Sequence, residues 1–243
     1  MRIVEVDGQL QVYLGEKPVL NYHLRTVEAP DSLPQYYRRS GFIHPLYSPS
    51  GQVLTDGMPV GHAHQHGIFH AWVNTQYLGV RTDFWNQQRE TGTVRHKALK
   101  SIVHEPAYAS FETELEHLSI READTTVVLS ETWLVKIFNQ DKPFRIEFKI
   151  AQRNVSKDTL FINEYHYGGF AFRGSVQWNE EDAQHADSMH VLTSKGLDRR
   201  AANHSRPEWV AAWGKVNNTF TGVAVRSQAS NFRHPQAVRI HPV

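Results

Sequence analysis

The chain has no cysteine in 243 residues. Disulfides, thiolate metal ligands and a cysteine nucleophile are therefore excluded together. A cysteine-free composition fits a reducing compartment, and the start MRIVEVDGQLQVYL has no apolar stretch of signal-peptide length, so cytoplasm is the expected location. No window approaches the roughly 20 apolar residues of a membrane-spanning helix, and no membrane association is expected. An excess of charge of one sign is missing too: 26 Lys and Arg face 25 Asp and Glu, a formal charge of +1. That balance gives no field to gather nucleic acid. Walker loop, dinucleotide-binding glycine pattern, G-x-S-x-G elbow and H-E-x-x-H are all absent, which disfavours nucleotide-driven and classical hydrolase chemistry.

Helical periodicity is scarce, whereas period two is plentiful. In FRIEFKI, Phe144, Ile146, Phe148 and Ile150 alternate with Arg145, Glu147 and Lys149, as in a strand with one wet face. QLQVYL repeats the pattern after Asp7-Gly8, a pair suited to a tight hairpin turn. Further strands are expected at 94–104, 109–120, 125–138, 160–173 and 220–228, separated by turn formers such as Asn139 to Pro143. Many short-spaced strands without helices predict an all-β, antiparallel β-sandwich, taken as a single domain over 1–243. Residues 28–61 hold five prolines and four glycines and read as a long functional loop carrying Arg39 and His44. The end, NFRHPQAVRIHPV, stops inside an extended apolar pattern, so the chain is expected to lack its last strands beyond Val243.

Three segments carry the candidate chemistry. GHAHQHGIFH, residues 61–70, holds four histidines. If it is extended, His62, His64 and His66 share one face about 6–7 Å apart and can offer imidazoles to zinc or iron; if it is helical, His66 and His70 stand one turn apart. In NEYHYGGFAFRG, Glu164 and His166 share one strand face and can act as base and acid, with Gly168-Gly169 allowing a bulge or close approach. Arg81, Asp83 and Trp85 of VRTDFWNQQ are residue types that sugar sites use, an aromatic face for the ring and planar polar groups for its hydroxyls.

RRSGFIHPLYSPSGQVLTDGMPVGHAHQHGIFHAWVNT, DFWNQQRETGTVRH, NEYHYGGFAFRGS and NFRHPQAVRIHP together resemble the bacterial family labelled PmoA-like or "methane oxygenase", largely a domain of unknown function. The label refers to an enzyme of transmembrane helices, which this chain lacks, so literal methane oxygenation is not expected. By its strand-rich layout the family is similar to the sugar-binding supersandwich of galactose mutarotase-like proteins, in which a histidine acts as acid and a glutamate as base on a sugar.

The expectation is a protein acting on, or binding, a sugar-like small molecule by His/Glu acid-base chemistry. His64 or His66 would be the acid and Glu164, with His166, the base; Arg39, His44, Arg81, Asp83 and Trp85 would position substrate. The alternatives are a lyase, hydrolase or oxygenase using one divalent metal on His62, His64 and His66, and a non-catalytic sugar-binding domain. Oligomeric state is left open.

Overall fold

Asp7 and Gly8 take φ of 50° and 76°, the left-handed pair that a two-residue hairpin requires. They join β1 (Arg2–Val6) to β2 (Gln9–Leu14), with Val6 opposite Gln9. The structure, a computed structural model, describes residues 1–122, 124–181 and 189–241. Val243, where the sequence reading places a missing continuation, lies outside the described residues.

β3 (Lys17–His23), β4 (Ile43–Leu46), β5 (Ile68–Ala71) and β13 (Gly169–Phe172) extend the hairpin into a six-stranded sheet of order β1-β2-β3-β4-β5-β13. A second sheet, of order β11-β10-β9-β8, contains β8 (Gly92–His104), β9 (Tyr108–Arg121), β10 (Asp124–Phe138) and β11 (Ile146–Asn154). Its alternation is the one the sequence announces: Leu129, Glu131, Trp133, Val135 and Ile137 of β10 are buried, while Ser130, Thr132, Leu134 and Lys136 between them are only half-buried.

The inner faces of these two sheets meet in a sandwich. Tyr22 of β3 lies 5.4 Å from Phe111 of β9 and 6.3 Å from Trp133 of β10, ring centre to ring centre. Tyr22, Phe69, Phe111 and Trp133 are all fully enclosed, and each such side chain contributes on the order of 1.5–3 kcal/mol by burial. Two three-stranded sheets flank the sandwich. One has the order β12-β6-β7, with β6 (Thr75–Tyr77), β7 (Val80–Thr82) and β12 (Leu160–Ile162); the other is β14-β15-β16, with β14 (His190–Thr193), β15 (Trp209–Val216) and β16 (Thr219–Arg226).

The all-β architecture is as expected, with differences in detail. FRIEFKI becomes β11 only from Ile146, and Ile146, Phe148 and Ile150 stay half-buried because β11 is the edge of its sheet. The strand expected at 160–173 is two short strands in different sheets. Between them Gly168 and Gly169 adopt φ of 143° and 88°, which interrupts any regular ladder. The segment 28–61 is irregular as expected over most of its length, yet it contributes β4 to the large sheet despite Pro45.

Candidate functional site

Glu131 sits on the inward face of β10, flanked by Leu129 and Trp133, and has no solvent exposure. An isolated carboxylate there would be untenable, and the surrounding donors explain its presence. His117 of β9 brings Nε2 to 2.9 Å from Glu131 Oε2. His70, from β5 on the opposite sheet, brings Nδ1 to 3.0 Å from the same oxygen. Gln152, opposite Glu131 in the β10–β11 ladder, donates its amide N–H to Oε2, and Trp133 donates its indole N–H to Oε1.

One contact orients the Gln152 amide, whose Nε2 also lies 3.2 Å from His70 Nδ1, and the carboxylate oxygen 3.0 Å away places the His70 proton on Nδ1. Trp72 Nε1 approaches Gln152 Oε1 at 2.8 Å; an indole only donates, so the Gln152 oxygen must face Trp72 and its NH2 must face Glu131. Four donors then fill the carboxylate: Trp133 on Oε1, and Gln152, His70 Nδ1–H and His117 Nε2–H on Oε2. Burial pushes the Glu131 carboxyl up, but the charges and hydrogen bonds of His70 and His117 outweigh it and hold the group well below its usual range. His117, fully enclosed, is held below the ordinary histidine value by desolvation, with Glu131 opposing. Glu131 is therefore an ionised carboxylate held among its donors.

His70 is the member of this network that reaches outward. With Nδ1–H committed to Glu131, its Nε2 carries a free lone pair and has no protein partner among the described residues. A tenth of the side chain is exposed, and a Cβ placed on Gly169 would stand 3.8 Å from Nε2. The bare Gly168-Gly169 backbone thus leaves room beside the nitrogen. Aromatic rings rim it: Trp72 meets His70 edge-on at 5.3 Å, and exposed Phe170, opposite His70 in the β5–β13 ladder, lies 5.2 Å from Phe148. From behind, Arg39 donates to the His70 carbonyl at 3.1 Å. Burial lowers the Arg39 guanidinium to about 10 against the pull of Glu131, so it is still charged at neutral pH and balances the buried carboxylate.

The residues singled out from sequence fall in several places. GHAHQHG is a run of turns, with His62 N–H bonded to Pro59 O and Gln65 N–H to His62 O, so the three histidines do not share a face. His62 and His64 lie together, ring centres 5.7 Å apart. His66 is fully enclosed, gives Nε2–H to Tyr37 O at 2.9 Å and packs on Phe42; it cannot join them on one metal or face a substrate. Glu164 and His166 are exposed in the irregular stretch after β12 and share no strand face. His166 packs on Tyr165 and Tyr167, and the Glu164 carbonyl accepts from Asn74. Among the described residues neither contacts His64 or His66.

Of the positioning residues, Arg39 is interior, 2% exposed, and donates to the His70 carbonyl. His44 is half-buried, with Nδ1 3.0 Å from Thr55 Oγ1, and burial beside His23 lowers it to about 4. Arg81 is exposed on β7. Asp83 is buried and accepts from Trp85 N at 3.0 Å, Asn86 N at 2.8 Å and Asn86 Nδ2 at 2.9 Å, an Asx turn that shapes its own loop. Trp85 is a core anchor between Phe69 and Tyr167.

Sequence reasoning missed Glu131, His117 and Gln152. The available signal was register: Glu131 in VVLSETWLVKIF and His117 in FETELEHLS fall on the inward phase of their strands, where a charged or imidazole side chain needs a reason.

No curated protein and no solved structure matches the chain. A family model does, over residues 9–243, and its description is a family of unknown function. The chain therefore belongs to that family, DUF6807.

Proposed function

We propose that the protein performs acid-base chemistry on a sugar-like small molecule at His70, with Glu131 as the group that orients and charges the imidazole. The observation that carries this is the tautomer: the donor pattern around Glu131 puts the His70 proton on Nδ1 and leaves Nε2 as a base at the surface. A substrate hydroxyl proton passes to Nε2, the buried carboxylate stabilises the resulting imidazolium, and the proton is returned to the product. The same logic relates histidine to carboxylate in many unrelated enzymes. Trp72, Phe170 and Phe148 offer aromatic faces to the C–H side of a pyranose, and Gly168-Gly169 permits close approach. Resemblance of the quoted motifs to PmoA-like proteins, and through them to mutarotase-like sandwiches, supports a sugar as substrate.

His70, His117 and Glu131 also have the composition of a two-histidine, one-carboxylate metal set, with donor atoms within 4.8 Å of one another. Binding a cation there requires both imidazoles to give up the protons that now bond Glu131 and Gln152 to turn away, so the hydrogen-bond pattern favours the metal-free dyad.

A panel of neutral and acidic monosaccharides, followed by saturation-transfer NMR and anomer-exchange spectroscopy, tests the proposal. Wild type is expected to bind at least one sugar and speed its anomer exchange; His70→Ala should keep binding and lose on the order of 100-fold or more in rate, and Trp72→Ala should lose binding. No sugar bound by wild type, or exchange unchanged in His70→Ala, overturns it.

A further inference from the structure

His62 and His64 take no part in the His70 dyad, and their surroundings have a different logic. The turn at 59–62 meets two distant segments, 179–181 and 239–241. Asn179 Nδ2 donates to Val60 O at 3.2 Å, and Arg199 ties the other two together, bonding Glu180 through one nitrogen and His241 O through Nε at 3.0 Å. This lacing brings His62, Glu181 and His241 together, each with a ligand-type atom within 4.8 Å of the others. The rings of His62 and His241 are 5.4 Å apart, edge to face.

Two details mark the cluster as more than a surface ion pair. His62 Nδ1 is sealed from solvent without a hydrogen bond, although Glu181 Oε2 is only 3.3 Å away. The separation makes no hydrogen bond, but it matches the roughly 3.4 Å between two ligands at 2.1 Å on a tetrahedral ion. Gly61, at φ +77°, is the second: a Cβ there would lie 1.5 Å from Glu181 Oε2, so the carboxylate is seated against bare backbone that no other residue supplies.

We infer that His62, Glu181 and His241 form a site for one divalent transition-metal ion of the zinc type, which clips the 239–241 segment onto the 59–62 turn. Two nitrogens and one carboxylate oxygen are the ligand chemistry of Zn2+ or Co2+ with a fourth position left for water. The site is separate from the His70 dyad and stands or falls without it.

The test is titration of untagged, chelator-treated protein with Zn2+ by calorimetry and with Co2+ by visible absorption. About one equivalent should bind, with the intense visible bands of tetrahedral Co2+. Affinity should fall by more than about 100-fold in His62→Ala, Glu181→Gln and His241→Ala, beyond the range for changes to outer partners, while His70→Ala binds as wild type does. Glu181→Gln preserves side-chain shape, and an unchanged far-UV spectrum shows that it folds. No saturable binding by wild type, or binding undiminished in Glu181→Gln and His241→Ala, overturns the assignment.

Discussion

Replacing Glu131 by Gln is the sharpest probe of the buried network. The new amide has one oxygen where four N–H groups require acceptors. In its better orientation the oxygen keeps His70, His117 and Gln152, and the NH2 is turned against the Trp133 indole N–H. One buried donor is then orphaned at about 1–3 kcal/mol, and three charge-assisted bonds become neutral ones at a loss of several tenths to 1 kcal/mol each. Arg39 loses its buried counter-charge as well. The total is ~3–5 kcal/mol, the range for breaking a buried pair by removing one partner and a large part of a typical domain's 5–15 kcal/mol. Equilibrium urea unfolding followed by tryptophan fluorescence measures it directly, since the chain has six Trp and Trp133 itself touches the mutated group. A loss below about 1 kcal/mol would refute the four-donor arrangement and the His70 tautomer derived from it.

Two further outcomes are expected. Asp83→Ala removes the acceptor of two backbone and one side-chain N–H and should cost ~2–4 kcal/mol in thermal or urea unfolding without altering sugar binding; a change under about 0.5 kcal/mol would show that water replaces the carboxylate. Burial, aided by Arg39, holds His66 at about 3 against 6.5 when free, so the unfolded chain binds the proton first. His66 therefore costs nothing above pH 6.5 and destabilises the fold progressively as pH falls toward 3, by up to ~4–5 kcal/mol. Urea midpoints from pH 7 to pH 4 should fall less steeply in His66→Phe, and parallel profiles would contradict the burial argument.

The strands of the four-stranded sheet were legible where one face is buried and the other is not, most clearly in β10 from Leu129 to Phe138, where hydrophobic phase and strand phase coincide. The large sheet was less so: Ile68 to Ala71 is buried on both faces, and four enclosed residues, His70 among them, that follow three other histidines carry no period. The 160–173 stretch misled because its apolar residues serve two different sheets. For the candidate site, GHAHQHGIFH contained the important residue, His70, but drew attention to the alternating trio before it. Nothing local reveals that His70 will face Glu131, because that meeting depends on how two sheets stack. The convergence of Glu181 and His241 on His62 is likewise a product of tertiary lacing, with no spacing rule behind it.

The single contact from Trp72 to Gln152 has a consequence for where charge can travel. Gln152 and Trp133 aim their N–H groups at Glu131 and Trp72 aims its own at the Gln152 oxygen, and neither an indole nor an amide N–H passes its proton on. Protons cannot hop along such a chain as they do through water or hydroxyl wires. A proton captured at His70 Nε2 is therefore stranded at the surface and leaves only by the face it entered, so the core behind it serves as an insulator and not as a conduit.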